Sequence, residues 1–388
     1  MRILHVISGL TMGGAERQVI ILSRELLRRG HKVLIYTLSD AVPRLPELKG
    51  SGVEVIIDHK RLRLDPLVIA RLRRAARSWG AEVAHGWLYD GNIYARVALR
   101  GLGIPIINSE RSDNYRLSHV QRLGYALTRG WETALVANSH AGFAFASSLH
   151  RIPADRGHVV WNGVDLAKAD LEAAAAPALR GTLWPGQEVS IACLVGTITP
   201  PKDHLLALDT AAVLHQRDPR WRFLFVGDPW RETGAYQRAV QARFRELQLE
   251  NVCRFTSERT DAIAHIAASD VLFSTSLREG FPNVVLEAMA CGTPVVSTEY
   301  SDIRRILPLS WQVVPQRRPE LLAAVIQRAA CERSLVVTAQ RAWVGAHATA
   351  ERLGTAMEAV YTLYATRNST RTAAISCTEN AQHWLDRR

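Results

Sequence analysis

At 388 residues the chain is roughly two to three times the usual domain size, so two domains of similar mass are expected. With 47% hydrophobic and 22% charged residues, disordered, collagen-like and disulfide-scaffold classes are excluded. The net charge of +11 is concentrated in residues 1–165, where 23 Lys/Arg stand against 14 Asp/Glu, and it calls for an anionic partner: nucleotide, nucleic acid or lipid headgroup.

In chain order, the apolar run Arg2 to Ile7 predicts a strand, Gly13 and Gly14 a turn, and the spacing of Val19, Leu22, Leu26 and Leu27 a helix over Ala15 to Arg29. Further strands are predicted at His31 to Leu38, Val53 to Ile57, Glu82 to His85, Pro105 to Asn108 and Ala134 to Asn138. The pattern restarts with strands at Val189 to Gly196, Trp221 to Gly227, Val252 to Thr256, Asp270 to Ser274 and Pro294 to Thr298. Helices are expected between them over Lys202 to Gln216, Thr233 to Leu247, Asp261 to Ala268 and Asn283 to Cys291. Such alternation predicts an α/β fold of two doubly wound parallel sheets, each with helices on both faces. The join is expected near Asn162 to Trp184, with domains over 1–165 and 166–345, a helical segment over 346–366 packing back toward the first domain, and a polar tail over 367–388. Ligands of such sheets bind beyond the carboxyl ends of the strands, so a site between two facing domains is expected.

Five cysteines, odd in number and without a C-x-x-C pair, argue against a disulfide framework or zinc site and suit a reducing cytoplasm. The opening residues read as a first strand rather than a signal segment, and no apolar window is long enough to span a bilayer.

The most informative segment is Ser276 to Thr298, SLREGFPNVVLEAMACGTPVVST. Gly280, Phe281 and Pro282 form a turn into a helix whose first amides, on Asn283, Val284 and Val285, would point outward with the positive end of the helix dipole. That is a seat for a diphosphate, flanked by Glu279 before the helix and Glu287 within it. Read blandly, Glu279 is a loop charge and Glu287 a solvated helix residue. Gly13 and Gly14 fit any Rossmann-like turn, and His85 at a strand end fits a hydrogen-bonded core position.

The E-x7-E pattern inside EGFPNVVLEAMACGTPVV resembles the signature of retaining GT-B glycosyltransferases of the GT4 family. GGAE at Gly13 to Glu16, NSHAG at Asn138 to Gly142, VVWNGVD at Val159 to Asp165, VGTITPPKDH at Val195 to His204, FLFVGD at Phe223 to Asp228 and ERTDAIAHIAASDV at Glu258 to Val271 resemble that family in the same order. The resemblance implies that Glu287 binds ribose hydroxyls, that Glu279 binds the donor sugar, and that Phe281, Pro282, Asn283 and Val284 present backbone to the diphosphate. It further implies that Gly13, Gly14 and Gly196 belong to donor-binding loops, that Lys202 neutralises phosphate charge, and that the back domain takes donor and the front domain acceptor. No metal or cofactor is implied, and no D-x-D pair occurs. The co-substrate implied by the resemblance is a nucleotide-diphosphate sugar, a UDP-sugar favoured, and the implied acceptor a glycan or lipid-linked hydroxyl in polysaccharide biosynthesis, not nucleic acid.

Two departures stand out. Thr197 occupies the position where the family usually has arginine, which removes one cation from the diphosphate unless Arg278 or Arg259 replaces it. Where many relatives read H-x-H, this chain reads His85, Gly86, Trp87. His85 is then the candidate near the sugar, with Trp87, Tyr89 and Arg111 on the acceptor side. Finally, Asp65 to Trp79 predicts a basic amphipathic helix, either an ordinary outer helix or a contact with the anionic inner face of the cytoplasmic membrane. Competing readings are a nucleotide-sugar epimerase of the same fold and a nucleic-acid-binding protein, for which no recognised module is present.

Overall fold

A computed structural model describes residues 1–111, 117–227, 234–256 and 261–366. The chain forms two compact units, Met1–Trp161 together with the chain from Ala350, and Asn162–Thr349.

The first unit holds seven strands: β1 (Arg2–Ile7), β2 (Lys32–Thr37), β3 (Glu54–Ile57), β4 (Val83–Trp87), β5 (Ile106–Glu110), β6 (Ala134–Ala137) and β7 (Gly157–Val159). All pair in parallel in the order 3-2-1-4-5-6-7, so the sequence winds outward from β1 in both directions. Strands buried on both faces cannot alternate in polarity, which is why RILHVI and KVLIYT read as nearly continuous apolar runs. The helices are α1 (Gly14–Arg28), α2 (Pro66–Trp79), α3 (Leu88–Leu99), α4 (His119–Thr128) and α5 (His140–His150). A further helix over residues 350–366 adds Leu353, Met357, Val360, Tyr361 and Tyr364 to the core around β1.

Helix α2 shows how the sequence fixes an element. Asp65 caps it by accepting from the Leu67 and Val68 amides (3.0 and 3.5 Å), Pro66 takes the first position, and Gly80 stops it in the left-handed conformation (φ 70°). Its Val68, Leu72 and Ala76 are buried against the sheet, so the apolar stripe of the expected amphipathic helix faces protein rather than lipid. Arg71 pairs with Asp58 at 2.7 Å and Arg73 donates to the Ala98 carbonyl at 2.8 Å, so part of the basic face is engaged too.

Close packing of α3 on β1 depends on Gly91, where a Cβ would lie 2.2 Å from the Val6 carbonyl oxygen. Gly91→Ala is therefore expected to destabilise the protein by about 1–3 kcal/mol, because backbone rather than a flexible side chain must give way. Urea denaturation checks this, and an unchanged midpoint would refute it.

The second unit contains β8 (Ser190–Val195), β9 (Trp221–Val226), β10 (Cys253–Thr256), β11 (Val271–Ser274), β12 (Val295–Thr298) and β13 (Val313–Val314), parallel in the order 10-9-8-11-12-13. Its helices are α6 (Leu166–Ala173), α7 (Ala176–Leu183), α8 (His204–Arg217), α9 (Ala235–Glu246), α10 (Ala262–Ala267), α11 (Asn283–Cys291), α12 (Ile303–Ile306), α13 (Pro319–Cys331) and α14 (Arg333–His347). The segment Asn162 to Trp184, where the join is expected, thus holds two helices inside this unit, the first capped by Asp165 accepting from the Lys168 amide at 3.0 Å. In both sheets the strand order reverses at the centre, between β1 and β4 and between β8 and β11, the places where doubly wound sheets open beyond their carboxyl ends.

Candidate functional site

Two loops leave the carboxyl ends of the adjacent strands β8 and β11, and they carry Lys202 and Glu279. Gly196 ends β8 with φ 154°, and a Cβ there would stand 3.0 Å from the Lys202 side chain. Gly227, after β9, has φ 151°, and its Cβ would lie 2.5 Å from the Gly196 carbonyl oxygen. Only glycines let these two turns pass so closely and leave room for the Lys202 stem to cross. A short turn over Pro200–Lys202 then hands the chain to Asp203, left-handed at φ 46°, which caps α8 by accepting from the Leu206 amide at 3.3 Å. Lys202 is thereby directed at Glu279, with Nζ 2.5 Å from Oε1.

The β11 loop is fastened to the first one. Thr275 donates its hydroxyl to the Lys202 carbonyl and the Leu277 amide donates to the Pro201 carbonyl, both at 2.7 Å. Ser276 donates its hydroxyl to Glu279 Oε1 at 2.8 Å. Arg317 bridges both loops, donating to Asp203 Oδ2 at 2.5 Å and to the Thr275 carbonyl at 2.6 Å. Lys202, Ser276, Glu279, Pro282, Val284 and Tyr300 share one recess. Burial, and then the charge of Glu279, push the Tyr300 hydroxyl up, so it stays protonated. Buried His204 is drawn down to about 4 by desolvation and by the Lys202 charge, and is neutral beside the loop.

The entry into α11 differs from the expected fan of three free amides. Asn283 N–H donates to the Phe281 carbonyl at 3.1 Å and Val285 N–H to the Pro282 carbonyl at 3.0 Å, because the chain tightens into the helix through a turn at Pro282 (φ −84°, ψ 86°). Of the three, Val284 is the amide without a protein acceptor among the described residues. The helix opening is not sealed: Asn283 and Val284 are half-buried, and Asn162 holds the Asn283 side chain at 2.7 Å. Glu287 is buried in an otherwise apolar helix, so it is not the solvated face residue of the bland reading.

Thr197 is exposed, and Arg278 is exposed on the loop just before Glu279; Arg259 lies outside the described residues. Sequence reasoning missed Arg317, Asp203, Ser276 and Tyr300. Arg317 stands 38 residues beyond Glu279 in a run of charged residues, and nothing local marks it as the link between the two loops.

In the first unit, Gly13 caps α1, and a Cβ there would meet Glu16 Oε2 at 2.3 Å; Gly14 is the first residue of the helix. Glu16 folds back to accept from Thr11 Oγ1 at 2.8 Å. His85 is fully buried, its Nδ1 2.6 Å from the Tyr361 hydroxyl and its ring stacked on Trp87 at 4.5 Å. Desolvation, then the charges of His5 and Arg111, hold it well below the usual histidine range. Trp87 is equally buried, with the Arg111 guanidinium 4.3 Å over its ring. Burial draws Arg111 itself down to about 10. His85, the candidate near the sugar, and Trp87, expected on the acceptor side, are thus both packed in the core of the first unit. Tyr89 is half-exposed, with its ring edge-on to Tyr125 at 5.1 Å.

Chemically, a lysine and a carboxylate beside a helix N-terminus can hold an anion together with neighbouring hydroxyl groups. Among the described residues no group of three or more His, Cys, Asp or Glu could hold a metal ion. No described helix is long and apolar enough to cross a membrane.

The model for Glycosyltransferase Family 4 matches residues 12–168 and that for Glycosyl transferases group 1 matches residues 190–332. A D-inositol 3-phosphate glycosyltransferase of Kineococcus radiotolerans is 28% identical over 329 residues, 75% of this chain and 74% of its own. The putative glycosyltransferase EpsF of Bacillus subtilis is 26% identical over 314 residues, 77% and 79% of the two chains. Among solved structures, Anabaena HepE in complex with UDP and glucose superposes with a TM-score of 0.81 at 19% identity, covering 93% of this chain and 99% of that one. Sucrose-phosphate synthase of Thermosynechococcus elongatus gives 0.73 at 19%, covering 94% and 100%. With a family model on each sheet and the Lys202 and Glu279 loops at the strand ends between β8 and β11, the chain belongs to the GT4 family and is a glycosyltransferase of GT-B fold.

Proposed function

We propose that the enzyme transfers a sugar from a nucleoside diphosphate sugar, with a UDP-sugar as the first candidate, to a hydroxyl of a lipid-linked or surface-polysaccharide glycan, with retention and without a metal ion. The observation that carries this reading is the Lys202–Glu279 pair at the recess beside the start of α11. Lys202 and the Val284 amide balance the charge of the departing diphosphate, and Glu279 accepts hydrogen bonds from the sugar. Glu287 takes the ribose hydroxyls. The anomeric C–O bond to the diphosphate breaks, the acceptor oxygen bonds to the same face, and the acceptor proton passes to a diphosphate oxygen. Stabilising that leaving group is the main catalytic task. The choice of uridine is supported by the fold relationship to HepE, solved with UDP and with UDP-glucose. The lipid-linked acceptor and contact with the inner face of an anionic membrane are supported by the excess charge of residues 1–165.

The test begins with thermal stabilisation by UDP, GDP and ADP and their sugars, where a ligand at about 100 times its Kd adds about 2.7 kcal/mol. Glu287→Ala is expected to weaken nucleotide binding by about tenfold or more, while Glu279→Ala chiefly lowers kcat with nucleotide binding kept. Isothermal titration and initial-rate kinetics separate the two. Unchanged binding and turnover in both variants, or a rearranged sugar nucleotide with no acceptor product, would sink the reading.

A further inference from the structure

The loop after β13 reaches across the sheet to the two loops of the site. In the strand order 8-11-12-13, β13 lies three spacings, about 14 Å, from β8, yet the side chain of Arg317 on that loop ends beside both site loops. There it donates to Asp203 Oδ2 at 2.5 Å and to the Thr275 and Ser276 carbonyls at 2.6 and 3.3 Å. Its neighbour Arg318 makes only a loose surface pair with Glu320 at 3.7 Å. None of the three Arg317 acceptors belongs to its own loop. Asp203 follows Lys202 directly, and Thr275 and Ser276 lead into Glu279.

These contacts close a ring. Asp203 uses its two carboxylate oxygens differently, Oδ1 accepting from the Leu206 amide to cap α8 and Oδ2 accepting from Arg317. Held at both oxygens, the residue keeps its left-handed conformation (φ 46°), which sets the direction of the Lys202 backbone before it. On the other side, Ser276 is bound by Arg317 through its carbonyl and donates its hydroxyl to Glu279 Oε1 at 2.8 Å. Lys202 and Glu279 meet at the opposite end. Around the ring the charges alternate, Arg317, Asp203, Lys202, Glu279, and sum to zero. An arriving diphosphate competes with Glu279 for Lys202, and once that pair opens Arg317 is the charged link that still joins the two loops. A guanidinium suits this task because its planar fork serves several acceptors at once. We propose that Arg317 is a positioning residue for sugar transfer: by gripping Asp203 on the β8 loop and the Thr275 and Ser276 carbonyls on the β11 loop, it keeps Lys202 and Glu279 in register. This rests on the reading of Lys202 and Glu279 as donor machinery and adds the residue that acts through them.

The chain has five lysines, Lys32, Lys49, Lys60, Lys168 and Lys202, so an amine-acylating reagent followed by peptide mass spectrometry reads each of them in the full-length, ligand-free protein. Held on Glu279, Lys202 is shielded. Arg317→Met should quicken its labelling at least about threefold as the loop loosens, with the other four lysines unchanged. Asp203→Asn, which keeps a good helix cap but offers Arg317 no charge, should act in the same direction, and Arg317→Lys should restore part of the protection. With UDP-glucose as donor, Arg317→Met should lower kcat for UDP release about tenfold or more with KM within about twofold. Added to Lys202→Ala it should cost much less than that, because the two changes remove one shared contribution. The inference is overturned if Lys202 labels at the wild-type rate in both the Met and the Asn variants, if all five lysines quicken together, or if the two losses of rate multiply in full. Labelling needs neither donor nor turnover, so a failure of sugar transfer would count against the proposed function and leave the Lys202 result standing.

Discussion

Lys202→Ala should lower kcat/KM for sugar transfer by about 10²- to 10³-fold, the loss typical when a preorganised charge facing a developing anion is removed. The effect is expected at the upper end because Thr197 supplies no second cation on the loop after β8. The fold should tolerate the change. Lys202 and Glu279 are both partly exposed, and the Thr275, Leu277 and Arg317 links between their loops do not involve the ammonium group. Lys202→Arg should recover only part of the rate, since the stem crosses a space left by Gly196 and a guanidinium is wider than an ammonium. Steady-state kinetics with a soluble acceptor, read beside the unfolding midpoint, checks this. A rate within threefold of wild type would remove Lys202 from the machinery.

Arg96→Met is expected to cost about 3–5 kcal/mol of stability, measured by urea denaturation, because it strips a charge from a buried group of four. Arg96 NH2 lies 2.5 Å from Glu132, and His150 bridges Glu132 (2.9 Å) and Glu110 (3.2 Å), with every one of these side chains almost wholly buried. Asn108 and Tyr125 complete the bonding of the carboxylates. Removing Arg96 leaves two buried carboxylates facing one histidine. Burial pulls the His150 pKa down, but its bonds to Glu110 and Glu132 outweigh this and hold it above the usual histidine value. Its stabilising contribution is therefore complete below about pH 6.5 and is lost as pH rises through the raised value. Glu132 runs the other way: burial raises it, His150 and Arg96 more than compensate, and its contribution fades as pH falls from about 4.5 through the lowered value. His150→Gln should flatten the alkaline side of the stability profile, and a slope unchanged from wild type would exclude the assignment.

The sheets were legible in the sequence because strands buried on both faces must be apolar throughout, which set β1, β2, β8 and β9 within a residue or two. The edges were not. Strands β7 (Gly157–Val159) and β13 (Val313–Val314) are too short to carry a period, and they exist because a neighbouring strand offers them a ladder. At the site, the turn through Gly280 to Pro282 and the spacing of Glu279 and Glu287 were visible as local chemistry. The capture of two α11 amides by the turn itself was not, since it depends on the backbone path through Phe281 and Pro282.

By itself, then, the sequence showed two runs of alternating strands and helices, the glycine turns and the acidic pair around α11, all of which are read from residues near one another along the chain. The tertiary structure alone decided three things. It buried His85 and Trp87 against Tyr361, 276 residues away from His85. It drew Arg317 onto Asp203 and Thr275, and it turned the stripe of α2 inward while leaving that of α4 uncovered. The physical reason is the same in each case. Burial is fixed by what packs on a surface from elsewhere in the chain, and a periodic apolar stripe looks alike whether a sheet covers it or nothing does.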